Sequence, residues 1–435
     1  MIRRPPRSTP KPSSAASDVY KRQVPDLPLS DLREIAAICR KSSVVIRRVP
    51  GLSLLLNGQA GLQDLEEVDL ENLLGRSEVE IDPVRLVGYL QDRVVLITGA
   101  GGSIGSELCR QISTFGPSQL LLYGKGENSI YQIQSELKSI YPDQQTACLI
   151  GDIGNREKMD YLFRKYRPHV VFHAAAHKHV PFMEDNPEEA VRNNVFGTKT
   201  LASAAVAHNV ERFIMISSDK AVNPSSVMGT TKRIAELIVQ QLANRTKTQF
   251  VTVRFGNVLR SRGSVVLLFE RQIREGGPVT LTHPEMTRYF MSISEAVRLV
   301  LHSGAVGTSG DLCILDMGEP VRIATLAENM IRLASKTEDI DIVYTWIRAG
   351  EKLSEELFTE AEARDLRTID KILICRPEEN ESELLDARLE ALRVAADACQ
   401  RKKVGRLLHE IVPAYQAESV TGGAEQAVYD HSERE

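Results

Sequence analysis

Two short stretches of this sequence bring together residue types that can do chemistry. In Ser217-Ser218-Asp219-Lys220, after an apolar run over 212–217, a carboxylic acid and an amine stand side by side at the end of a predicted strand. An acid and a base at neighbouring positions can act on adjoining atoms of one substrate, one taking a proton while the other gives one up. The alternative is a surface ion pair in a loop, which contributes little. The second stretch is Thr98-Gly99-Ala100-Gly101-Gly102-Ser103-Ile104-Gly105, after the apolar run 94–98 and before a helix predicted over 106–115. Glycines at 99, 102 and 105 let a backbone turn sharply and approach a pyrophosphate, whose charge is met by the N–H groups and dipole of the helix start.

The elements that must position these residues follow from an alternation of patterns. Short β-rich runs at 94–98, 119–123, 146–150, 169–173, 212–217 and 250–255 are separated by helical stretches. That rhythm predicts an α/β fold with a doubly wound parallel sheet, and nearly continuous apolar strands predict helices on both faces. With the glycine turn, it predicts a Rossmann domain for NAD or NADP. The acid that bonds the adenosine ribose in an NAD site is expected about 20 residues past the glycines. Here the second strand ends Leu122-Tyr123-Gly124-Lys125-Gly126 instead, so Lys125 is either a partner for a 2′-phosphate or a solvated loop lysine. Asp152 and Ile153 are placed to meet the adenine, and Ala174, Ala175 and Ala176 to form a small-residue floor under the cofactor.

Outside this core, residues 1–23 are rich in Arg, Pro and Ser and are expected to be non-native or disordered. Residues 24–77 carry a helical pattern over 31–41, with Ser30 as its cap, and an apolar run over 43–46. They read as the remnant of an N-terminal domain and a linker. The division expected after that is 78–256 for the dinucleotide domain, 257–380 mainly for a smaller substrate-binding lobe, and 381–435 for a helical appendage and disordered tail. A net charge of −4 over 435 residues, with both signs mixed, predicts no nucleic-acid partner. The six cysteines are far apart and read as buried thiols of a reducing compartment. No stretch approaches the roughly 20 apolar residues of a membrane span, so the chain as given is expected to be cytoplasmic. His173, His177 and His179 have a spacing that could face one metal, but no carboxylate or cysteine cluster completes a set, and no metal is expected.

Beyond Lys220 the sequence continues Ala221-Val222-Asn223-Pro224, then Met228-Gly229-Thr230-Thr231-Lys232. Supporting stretches are His173-Ala174-Ala175-Ala176-His177-Lys178-His179-Val180-Pro181, Asn194-Val195-Phe196-Gly197-Thr198, Arg254-Phe255-Gly256-Asn257-Val258-Leu259, Arg288-Tyr289-Phe290-Met291 and Gly350-Glu351-Lys352. In this order, over about 78–415, they resemble the extended short-chain dehydrogenase/reductase superfamily, and within it the polysaccharide-biosynthesis dehydratases of UDP-N-acetylglucosamine. The superfamily usually has a tyrosine four residues before the lysine, where this chain has Met228, and a thioether cannot transfer the proton. The departure resembles the large branch of these dehydratases, in which membrane helices and a further domain precede a cytoplasmic catalytic domain. Membrane contact is therefore expected only through an N-terminal region outside this chain, and a homo-oligomer is expected.

The resemblance implies a UDP-sugar substrate and a recycled cofactor: oxidation at C4, loss of water across C5 and C6, and hydrogen return to C6. It makes Lys220 the base at C5 and Asp219 the acid at C6. Lys220 must then be neutral, so burial or the charge of Lys232 is expected to lower its pKa, and Asp219 is expected to hold a proton. Lys232 is expected on the nicotinamide ribose, and Ser218 to carry the C4 proton, directly or through a water near Met228. Lys178 and His179 are implied beside cofactor and sugar, and Asn194 at the cofactor side, positioning backbone and water. Asn257, Arg288, Arg348 and Glu351 are implied at the nucleotide end, or else are structural hydrogen-bonding residues. Rival readings are a UDP-sugar 4-epimerase, which needs no acid and base at C5 and C6, and a non-catalytic nucleotide-binding scaffold. The methionine branch implies retention at C5.

Overall fold

Strands β1 (Val94–Thr98), β2 (Gln119–Gly124), β3 (Thr146–Ile150), β4 (Val170–His173), β5 (Arg212–Ile216) and β6 (Gln249–Arg254) form where apolar runs predict them, within a residue at each end. The computed structural model describes residues 47–48, 66–67, 83–334, 340–377 and 382–416. The readings made for 1–23, 31–41, 43–46 and the tail from 417 lie outside them. The chain divides into two units, Met1–Asp69 and Leu70–Glu435. In the first, Arg47–Arg48 pairs antiparallel with Glu66–Glu67.

In the second unit, β1 to β6 run parallel in one nine-stranded sheet. Successive side chains of a strand point to opposite faces. Val95, Ile97, Leu120, Leu122, Val170 and Phe172 therefore enter one core, and Leu96, Leu121, Tyr123, Val171, Phe213 and Met215 the other. The first core is closed by helices α1 (Pro83–Leu90), α2 (Ser103–Ser113), α3 (Glu127–Ile140) and Ile293–Val306. The second is closed by Arg156–Tyr166, Thr198–Ala207 and Val227–Arg245. Burial on both faces is what a parallel sheet requires, and it brings the strand ends to one crevice.

Three details differ from the sequence reading. Helix α2 begins at Ser103 rather than at 106, so Gly105 lies inside its first turn. The expected division at 256 is a chain boundary and not a spatial one. Residues from 259–290, 321–331 and 340–342 build a smaller core around Val266, Phe269, Leu326 and Met330, but β7 (Leu312–Leu315), β8 (Arg367–Ile369) and β9 (Ile372–Cys375) return to the main sheet. β7 lies parallel to β6, and β9 antiparallel to β7. The C-terminal helical pattern is two helices, Ser382–Asp397 and Arg401–Ile411, broken where Cys399 takes a φ of 53°. Leu389, Leu392, Val404 and Leu408 share an apolar core with Val191, Val195, Ile234 and Ile238, so these helices are built into the domain. Among the described residues no helix is long and apolar enough to cross a membrane.

Candidate functional site

The crevice starts at the glycine turn. Gly99 has a φ of +68°, and a Cβ there would lie 2.8 Å from the carbonyl oxygen of Ala174. A Cβ on Gly105 would lie 2.0 Å from the Gly99 oxygen, so the missing side chain lets α2 sit against the end of β1. At Gly102 the nearest atom to a Cβ is that same Gly99 oxygen, at 3.1 Å, and no side chain caps the helix. The first-turn N–H groups of Ser103, Ile104 and Gly105 are thus left for an outside acceptor. A turn pressed onto its own strand, with free donors aimed outward, fits the pyrophosphate of a dinucleotide.

Around this cradle the sequence-predicted residues fall into place unevenly. Lys125 Nζ is 3.0 Å from Asp152 Oδ2 and 3.9 Å from Glu189 Oε1, so the lysine considered for a 2′-phosphate is flanked by two carboxylates. The Asp152 carbonyl accepts the Tyr123 hydroxyl at 2.8 Å, which fixes the end of β3 against β2. Ile153 is buried against Gly197, while Ala174 and Ala175 are half-buried and Ala176 exposed at the end of β4. Asn194 is buried, accepting from the His177 N–H at 2.8 Å and donating to the His177 carbonyl at 3.0 Å and Thr231 Oγ1 at 3.1 Å. With its amide spent this way, Asn194 ties the backbone at His177 to Thr231. It can do so because 191–197 is a π-helical turn, wider than an α-turn.

His173 bridges Thr98 Oγ1 and Thr198 Oγ1, each at 2.9 Å. Because the Thr198 hydroxyl already donates to the Asn194 carbonyl, the His173 Nε2–H donates to it and Nδ1 accepts from Thr98. Burial, reinforced by the charge of Lys232, pushes the imidazole down to about 3, so it is a neutral brace.

The acid–base pair stands at the end of β5. Ser218 caps a short 3₁₀ turn, Asp219–Ala221. Asp219 is fully buried; its Oδ1 accepts from Ser218 Oγ at 2.8 Å, Lys220 N at 2.9 Å and Lys220 Nζ at 3.0 Å. Its Oδ2 is buried with no hydrogen-bond partner among the described residues. Lys220 Nζ also reaches Asn257 Oδ1 at 3.3 Å and Glu355 Oε1 at 3.4 Å. Burial works to lower the Lys220 ammonium, but Asp219 and Glu355 outweigh burial and the repulsion of Arg288, holding it above the usual lysine range. This corrects the expectation of a lowered Lys220. Lys232 is the lysine brought down, to about 8, by burial that Glu236 only partly offsets. Its Nζ donates to the Ile216 carbonyl at 2.6 Å. Met228, one turn before it, is buried in the apolar core shared with the C-terminal helices.

The remaining sequence-predicted residues differ in their surroundings. Lys178 donates to Ser261 Oγ at 3.3 Å, and burial together with the charge of Lys220 lowers its ammonium. His179 lies against Gly263. Arg288 is buried, with its guanidinium spent on the carbonyls of Thr287, Lys352 and Leu353 at 2.7 to 3.1 Å, so it braces the 352–355 loop. Arg348 is exposed and makes no side-chain bond among the described residues, and the buried Glu351 Oε2 has no partner there. Sequence reasoning missed Glu355, one glutamate among several in its segment. It also missed the fully buried Arg254, held by Glu236 at 2.7 Å and Glu362 at 2.9 Å. Ser217 Oγ donates to Glu236 at 2.6 Å, which ties this cluster to the β5 end.

Residues 95–377 match the family described as polysaccharide biosynthesis protein. The chain is 50% identical over 352 residues to the capsular polysaccharide biosynthesis protein CapD of Staphylococcus aureus, a match covering 80% of this chain and 59% of that protein. It therefore spans less than two thirds of that relative. It is 33% identical over 289 residues to a UDP-glucose 4-epimerase of Rickettsia massiliae, covering 63% of this chain and 81% of the other. The X-ray structure of Pen from Bacillus thuringiensis has a TM-score of 0.63 at 31% identity, over 69% of this chain and 98% of Pen. The fold is the Rossmann fold of extended short-chain dehydrogenases/reductases.

Proposed function

The chain belongs to the polysaccharide biosynthesis protein family, and from that premise we propose that it is an NAD(P)-dependent dehydratase converting UDP-N-acetylglucosamine to a UDP-4-keto-6-deoxy sugar. The observation that carries the reading is the Asp219–Lys220 pair, 3.0 Å apart, with the second carboxylate oxygen of Asp219 buried and unpaired. The turn at Gly99, Gly102 and Gly105 would hold an oxidised nicotinamide dinucleotide, which would supply hydride acceptance for C4 and hydride donation for C6. The rest is work for side chains of this chain.

A proton moving from Lys220 Nζ to Asp219 along their hydrogen bond leaves a neutral amine beside a carboxylic acid. The amine takes the C5 proton, acidified by the C4 ketone, while Asp219 gives its proton to the departing C6 hydroxyl, which leaves as water. The Lys220 ammonium so formed, exchanged with solvent, returns a proton to C5 as hydrogen reaches C6, and the proton released to solvent from the C4 hydroxyl restores the ammonium–carboxylate pair. Ser218, hydrogen-bonded to Asp219, gives the C4 hydroxyl proton a route where Met228 offers none. Arg348 and Glu351 offer unspent polar groups for the diphosphate and uridine, and Lys178 and His179 flank the sugar. Arg288 acts through the loop it braces.

Epimerisation is the second reading, favoured by the likeness to the Rickettsia protein. Incubation with UDP-N-acetylglucosamine and oxidised cofactor in D₂O separates the two. Dehydration gives a 4-keto-6-deoxy product carrying deuterium at C5, and Lys220→Met should lower its formation by about 10² to 10⁴. Inversion at C4 with no deuterium at C5 would overturn the proposal.

A further inference from the structure

We infer that Glu355 is a positioning residue for C5 proton abstraction, reaching from the 352–356 loop to hold Lys220 Nζ at the carbon it deprotonates. The inference rests on the dehydratase reading and extends it to a residue outside the acid–base pair. A lysine ammonium has three N–H donors and no preferred direction of its own. Here it faces three oxygens, Asp219 Oδ1 at 3.0 Å, Asn257 Oδ1 at 3.3 Å and Glu355 Oε1 at 3.4 Å. Two come from the β5 and β6 ends, and the third from a loop of distant sequence.

That loop is fixed on several sides. Arg288 donates to the Lys352 and Leu353 carbonyls, the Thr287 N–H donates to Leu353 at 3.0 Å, and Thr287 and Ser354 hydroxyls meet at 2.8 Å. Lys352 Nζ donates to the Val222 carbonyl at 2.9 Å, and Asn223 to Glu356 at 3.1 Å, so the loop is tied to the segment that follows Lys220. The Glu355 side chain is 5% exposed, and Arg288 Nε lies 4.0 Å from its Oε1. A carboxylate held this firmly against a base acts in two ways. It keeps Nζ from swinging away when the proton leaves, and it stabilises the ammonium that forms as Nζ takes the C5 proton. The charged groups facing Lys220 are Asp219, Glu355, Arg288 and Lys178; Glu355 is the anion that has no part in protonating the leaving group.

The test uses the full chain with cofactor and UDP-N-acetylglucosamine, comparing wild type, Glu355→Gln and Glu355→Asp. In single turnovers the rise at 340 nm reports C4 oxidation, and its decay with C5 deuterium uptake reports elimination. Glu355→Gln should leave the rise unchanged, slow the decay about tenfold, and move the acid limb of the elimination profile down by about one pH unit. Glu355→Asp, which keeps the charge on a shorter stem, should keep the limb near its wild-type pH while the decay slows. An unchanged decay and limb in Glu355→Gln, or equal loss of rise and decay in both variants, overturns the inference. Wild type that reduces cofactor yet takes up no C5 deuterium and forms no 4-keto-6-deoxy sugar overturns the dehydratase reading instead.

Discussion

Lys232 is 5% exposed, and among the described residues the only oxygen its ammonium bonds is the Ile216 carbonyl, so burial leaves it short of compensation. Its folded pKa of about 8 lies below the ordinary 10.5, and the unfolded chain therefore binds more protons between those values. Stability must rise with pH across that window, because the cost of burying the charge is in force below pH 8 and fades above it. A shift of this size corresponds to roughly 3 kcal/mol. Comparing urea unfolding of the cofactor-free protein and Lys232→Met at pH 7 and pH 10.5, wild type should gain about 2 to 3 kcal/mol on the variant; a constant difference refutes the assignment. Lys220 shows what neighbouring charge does to the same residue type. Its adjacency to Asp219 is visible in the sequence, but the balance of burial against Asp219 and Glu355 that sets its shift is not, since burial is a tertiary property and Glu355 lies 135 positions away in the chain. Nothing in the local pattern around Gly350-Glu351-Lys352 singles out Glu355 from Glu351 or Glu356.

The glycine turn and α2 act as one element, and their glycines are not equivalent. A methyl group on Gly105 would meet the Gly99 backbone at 2.0 Å, forcing helix and strand apart, whereas on Gly102 it would only press the same oxygen at 3.1 Å and intrude on the open side. Gly105→Ala should destabilise the fold by about 1 to 3 kcal/mol, as overpacking does. Gly102→Ala should leave the melting temperature within a degree or two and weaken dinucleotide binding about tenfold or more. Calorimetry with and without NAD distinguishes them, and equal effects of the two substitutions would contradict the assignment. The parallel strands were legible because each is a continuous apolar run covered on both faces. The start of α2 was not, because three glycines within four residues ordinarily signal a turn and only the close approach to β1 extends the helix back to Ser103. Asn194 was singled out from the sequence, but its bonds to the His177 backbone depend on a π-helical turn that no pattern of residue types announces.

At the scale of the molecule, the C-terminal helices and the strands past residue 256 belong to the same body as the dinucleotide site. Leu392 is fully buried among helix 227–245 and its neighbours, so Leu392→Ala should cost about 2 to 5 kcal/mol, read by chemical denaturation, while an effect below 1 kcal/mol would mean these helices pack loosely. The periodicity of these helices could be read from sequence; their partner could not, since amphipathic pattern gives a face and not what covers it. The same limit hid β7, which lies beside β6 although a whole lobe intervenes in the chain. That adjacency bears on any attempt to dissect the protein. A fragment ending at Gly256 would carry the glycine turn and the acid–base pair, but would present Gln249–Arg254 as a bare strand edge, with Arg254 stripped of Glu362 and of the Leu357 carbonyl. Such an edge pairs with other copies of itself, so the shortened chain should reach the test tube as aggregate before its chemistry can be asked about.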